Sequence, residues 1–109
     1  MKITLPIGPY SNKIKQDKQK INRYIDVLQT QFDASKSRYG HWSTTSKYKV
    51  VINFGFKENG TDKVLYEFLP MIMDCMVPIL MEELSQIHEI EVTKERNNID
   101  IMTIIIQCI

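Results

Sequence analysis

Acidic residues are scarce in the first half of this chain and basic residues in the second. Residues 1–50 hold three Asp and Glu against ten Lys and Arg, and residues 51–109 hold ten against four. The net charge of +1 therefore conceals two regions of opposite sign, each able to select partners by electrostatic complementarity. Cysteine is almost missing as well. Cys75 and Cys108 each sit in an apolar run, where a thiol is ordinarily a small packed hydrophobe, so a disulfide framework is not expected. His41 and His88 have no second His or Cys at ligand spacing, which leaves a zinc site nothing to start from. Gly55 and Gly60 span a Gly-x-x-x-x-Gly without the following Lys-Ser/Thr of a phosphate loop.

Other absences narrow the class further. The N-terminal Met1-Lys2-Ile3-Thr4-Leu5 has neither the longer apolar segment nor the cleavage site of a signal peptide, so a cytoplasmic protein is expected. The most apolar stretch, Val64 to Met81, is interrupted by Glu67, Pro70, Asp74 and Pro78. Each acid would cost roughly 2.5 to 3.5 kcal/mol at mid-membrane and each proline would free backbone groups, so a buried or interfacial helix is expected and no membrane span. Cys75 beside Asp74 lacks the positive surroundings that activate a thiolate, and Glu82 and Glu83, adjacent on a helix, do not converge as an acid–base pair. No catalytic, metal or cofactor motif is present, and a non-catalytic protein is expected.

What is present suits one globular domain covering residues 1–109, with 43% hydrophobic residues. Lys2 to Pro6 reads as a short strand, and Ser11 as the N-cap of a helix whose Ile14, Ile21, Ile25, Leu28 and Phe32 share one stripe. The Ser- and Thr-rich stretch Ala34 to Ser46 reads as loop or ragged edge strand. Lys47 to Lys57 alternates as an amphipathic strand, Glu58-Asn59-Gly60 turns the chain, and a second helix, capped at Thr61 and kinked or divided by its prolines, reaches to about Ile87. His88 to Glu95 and Ile99 to Ile109 are two further strands around a turn at Arg96-Asn97-Asn98. The order β-α-β-(β)-α-β-β predicts a two-layer α+β sandwich, a mainly antiparallel sheet of four or five strands with two helices on one face, and permits a ferredoxin-like variant.

Two features point to function. The closing strand is apolar on both faces and the second helix has no consistently polar face. That excess is explained either by a helix broken at Pro70 or Pro78 or by self-association as a dimer or ring, through Leu69, Met71, Met73, Met76, Leu80, Ile104 and Ile106. The basic half, with Lys13, Lys15, Lys18, Lys20, Arg23, Lys36, Arg38, Tyr39 and Trp42, is suited to an acidic partner. Its cations and aromatics would also neutralise phosphates and stack bases, although no nucleic-acid signature frames them. Lys47 and Lys49 have a purely structural use if their strand pairs with the one carrying Glu89 and Glu91.

A helix, an amphipathic strand, a kinked apolar helix and a C-terminal hairpin, in that order, resemble small tail-completion subunits of bacteriophages. The resemblance covers element order over residues 11 to 109 and carries over no site residue. The Lys-, Ile- and Asn-rich composition is that of AT-rich genomes, phages and plasmids among them. The expected function is a small self-associating binding or adaptor protein whose basic face engages an acidic macromolecule, for example as a phage- or plasmid-type inhibitor of a host factor. Nucleic-acid binding and a phage assembly subunit are the alternatives.

Overall fold

A computed structural model describes residues 1–5, 18–56, 69–99 and 101–109 of the chain. The expected cap at Ser11, Lys13 and Lys15, the turn at Glu58-Asn59-Gly60, the cap at Thr61 and the start of the second helix lie outside the described residues. The rest forms an α+β fold with one four-stranded sheet: β1 (Lys2–Leu5), α1 (Lys18–Tyr39), β2 (Tyr48–Phe56), a helical segment at 69–74, a 3-10 turn (Leu84–Gln86), β3 (Ile87–Arg96) and β4 (Ile101–Cys108).

The strand order is β1-β4-β2-β3, with β4 antiparallel to both β1 and β2 and β3 parallel to β2. The sheet is therefore mixed rather than mainly antiparallel, and its order is not that of the ferredoxin-like variant. The last two strands form no hairpin, because β2 lies between them. Sequence alternation identifies strands but carries no information on which strands become neighbours. The β3–β4 connection passes over the end of β2 at Gly55. A Cβ there would sit 2.8 Å from Ile101 Cγ2 and 3.1 Å from Asn97 Nδ2, so only glycine admits the crossing.

One face of the sheet carries the core. Ile3 and Leu5 of β1, Met102, Ile104 and Ile106 of β4, and Tyr48, Val50, Ile52 and Phe54 of β2 are all buried on it. Both helices contribute to the same cluster, α1 through Tyr24, Leu28 and Phe32 and the second helical region through Ile72, Cys75, Met76, Leu80 and Met81. On the opposite face Ile101, Thr103 and Ile105 of β4 are half-buried, so the two-sided cover expected for this strand is incomplete.

Helix α1 runs through to Tyr39, which corrects the expected loop from Ala34. Ser35 and Phe32 continue its buried stripe, and tertiary packing outweighs the weak helix propensity of the serines. It stops at Gly40, whose φ of +81° is the left-handed cap that glycine supplies most cheaply, and Gly40 N donates to Lys36 O at 3.3 Å. Lys36 and Arg38 in the last turn suit the negative end of the helix dipole.

Among its described residues the second helical region is broken. Helix occupies 69–74, turns occupy 75–80 around a cis Val77–Pro78 bond, and a 3-10 turn follows in place of a helix reaching Ile87. Different segments thereby turn different apolar residues into one core. Gln86 fastens the region to the loop after α1: its Nε2 donates to Thr44 O at 2.8 Å and Ser46 O at 2.9 Å, while its Oε1 accepts from the amides of Glu82 and Glu83, each at 2.8 Å.

Candidate functional site

A cleft of about 460 Å³ opens between the edge strand β1 and the C-terminal half of α1. Met1, Lys2, Ile3 and Thr4 form one wall, and Gln31, Ser35, Arg38 and Tyr39 the other. The helix residues are spaced by four, three and one, which sets them on one side of α1. On the strand, four consecutive residues line the same cleft although alternate side chains point to opposite sheet faces. The cleft therefore borders the edge of β1 that no described strand pairs, rather than either face.

The backbone settles what that edge offers. Met1 and Ile106 exchange both backbone hydrogen bonds, each at 2.9 Å, so the next exchanging pair in the antiparallel register is Ile3 with Ile104. The N–H and C=O groups of Lys2 and Thr4 consequently point away from β4, toward the cleft. An extended segment laid along β1 would meet two donors and two acceptors in strand geometry.

The charge of the cleft is of one sign. Among the described residues that line it, Lys2 and Arg38 are the charged side chains and none is a carboxylate. Arg38 Nη2 donates to Ser35 Oγ at 3.4 Å, a contact that holds the guanidinium over the opening without neutralising it. At one end stands an aromatic cluster. Tyr39, 54% exposed, meets Trp42 edge to face with centroids 5.5 Å apart, and Trp42 stacks on Tyr48 at 5.3 Å. Trp42 is anchored rather than displayed: its Nε1 donates to Leu80 O at 2.7 Å, and the Tyr48 hydroxyl donates to Ser43 O.

The described basic residues singled out in the sequence are spread along α1 rather than clustered. Lys18 and Arg23 are exposed near one end of α1 and Lys36 and Arg38 lie in its last turn. At 1.5 Å per residue Lys18 and Lys36 are about 27 Å apart, with Asp26 and Asp33 between them. Lys20 is on the same helix, and Lys13 and Lys15 lie outside the described residues. Lys49 is engaged by the sheet, its Nζ 3.5 Å from Glu89 Oε1 across the β2–β3 pairing, which is the structural use its sequence position allowed.

Among the residues expected to mediate self-association, Met76, Leu80, Ile104 and Ile106 are 0% exposed within the chain itself, so they present no surface. Leu69 and Met71 pack against the same core and Met73 is half-buried. Cys75 is buried and Cys108, contrary to expectation, is exposed at the end of β4, both as free thiols. Burial, and secondarily the charge of Asp74, pushes the Cys75 thiol above its ordinary range, which suits a packed thiol and not a nucleophile.

Lys2, Thr4, Gln31 and Ser35 were not singled out in the sequence, because a four-residue strand and a helix end converge only through tertiary packing. Among the described residues no three His, Cys, Asp or Glu side chains are grouped to hold a metal ion, and no helix is long and apolar enough to cross a membrane. No protein-family model matches the chain, and no curated protein matches it.

Proposed function

We propose that the chain is a small non-catalytic binding protein of the cytoplasm, and that the cleft beside β1 receives an extended, acidic polypeptide segment by strand addition. One observation carries the reading. The cleft follows an edge of the described sheet, on a strand whose outward backbone groups belong to Lys2 and Thr4, and the charged side chains among its described lining residues, Lys2 and Arg38, are cations. Backbone pairing would supply affinity without regard to sequence, and the two cations would select acidic segments over basic ones. Tyr39 at the rim offers an amphipathic contact at low entropic cost.

Fluorescence anisotropy with a labelled peptide of alternating Glu and Val tests this. Binding is expected to weaken as salt rises, and Arg38→Glu to cut affinity at least about tenfold. Lys18→Glu, about 20 Å along α1 from Gln31 and about 30 Å from Arg38, should leave affinity within about twofold. Equal binding by Arg38→Glu and the unaltered chain would overturn the reading. A mixed oligonucleotide that displaces the peptide and is lost in the same variant would replace the polypeptide with nucleic acid.

A further inference from the structure

Resting on that reading of the cleft, we infer that the acidic segment it takes is β3 of a second copy of this chain, so that copies join head to tail into an extended sheet. The two edges of the sheet are opposite in charge and alike in direction. β1 is antiparallel to β4, β4 is antiparallel to β2, and β2 is parallel to β3, so β1 and β3 run the same way at opposite edges. A copy displaced sideways brings its β3 alongside β1 in parallel, with the same sheet faces aligned.

The register then sets compatible side chains together in four rows, while in the fifth, that of Leu5, Met102, Phe54 and Lys94, Leu5 would lie beside Lys94. Lys2, Ile105, Val51 and Glu91 form one row across the sheet, so Lys2 of one copy lies beside Glu91 of the next. The row of Ile3, Ile104, Ile52 and Val92 sets Ile3 beside Val92, and the row of Thr4, Thr103, Asn53 and Thr93 sets threonine beside threonine. Ile90 shares the row of Val50, Ile106 and Met1; it is 42% exposed in the single chain and would be covered beside Met1. Twist between neighbouring strands would turn such a stack into a helical filament.

The same edge resists the symmetric alternative. Two β3 strands paired antiparallel about a two-fold axis keep their sheet faces only when residues of like parity are opposed. Every such register centred from residue 89 to 94 then sets two like charges opposite each other: Glu89, Glu91 and Glu95 among themselves, or Lys94 with Lys94. Charged edges of this kind disfavour pairing of β3 with a second β3.

Sedimentation equilibrium of the full chain over a concentration series tests the inference. The mass is expected to grow past that of a dimer. Lys2→Glu and Glu91→Lys should each weaken association at least about tenfold, and the chain carrying both should regain it, because the pair is restored with its signs exchanged. Thr4→Pro removes an outward N–H and no bond to β4, so it should abolish growth while circular dichroism shows an intact sheet; the charge exchange stands as the test if that variant does not fold. A closed dimer, or growth unaffected by Thr4→Pro and by both charge reversals, would overturn the inference. A chain that stays monomeric but binds the alternating Glu and Val peptide would overturn it and leave the cleft reading standing; one that does neither overturns both.

Discussion

The indole Nε1 of Trp42 donates to the carbonyl oxygen of Leu80 at 2.7 Å, tying the loop after α1 to the broken apolar segment that closes the core. The bond joins residues 38 positions apart and gives a carbonyl at a buried turn its partner. Trp42→Phe keeps the stack on Tyr48 but removes the donor, and the orphaned acceptor is expected to cost about 1–3 kcal/mol. Chemical denaturation followed by circular dichroism would measure it, since the chain's one tryptophan is lost as a fluorophore. A midpoint unchanged from that of the unaltered chain would show that the bond carries no net stability.

The two described glycines fail in different ways. Gly55→Ala drives a methyl into Ile101 Cγ2 at 2.8 Å beneath the β3–β4 connection, and overpacking of this kind is expected to cost about 1–3 kcal/mol. Gly40→Ala meets nothing within 4 Å but must hold a φ of +81°, at about 1–2 kcal/mol. Gly40→Asn should recover part of that loss, because asparagine tolerates the left-handed region, whereas Gly55→Asn should be worse than Gly55→Ala. Urea midpoints of the four variants decide the matter; recovery at position 55 would contradict the crowded crossing.

Alkaline pH should destabilise the fold. Burial pushes both the Cys75 thiol and the Tyr48 phenol above their ordinary ranges, so the folded chain holds protons that the unfolded chain releases. Stability is then full below about pH 8.5 and falls as pH rises toward the folded-state values. Urea midpoints at pH 7 and pH 9.5 should differ in that sense, and Cys75→Ala, though less stable at pH 7, should show a shallower fall. A flat profile through pH 10 would falsify the assignment. Thiol labelling of the folded chain should modify exposed Cys108 well before Cys75.

The elements of this protein were written locally. Period-two alternation marked β2 and β3, an apolar run after the Arg96-Asn97-Asn98 turn marked β4 and a short stretch before Gly8-Pro9 marked β1, each to within about two residues, and the stripe of Ile21, Ile25, Leu28 and Phe32 marked α1, because which side chains share a face follows from backbone geometry alone. The pairing of Lys49 with Glu89 was foreseeable as soon as those strands were neighbours. Neighbourhood itself was not written locally. A strand pattern is satisfied beside any strand that matches its faces, so only the closed core decided that β2 would divide β3 from β4, and that Gly55 would lie beneath their connection. The same closure consumed Met76, Leu80, Ile104 and Ile106, whose excess of apolar surface in the sequence had suggested an interface. It also set Lys18 and Arg23 toward one end of α1 and Lys36 and Arg38 at the other, and brought Arg38 to the same cleft as Lys2, 36 positions away in the chain, along an edge of the described sheet. Composition fixed how much charge of each sign there was to place; the long-range packing of helix against sheet, to which no short stretch of sequence is sensitive, decided where it lay.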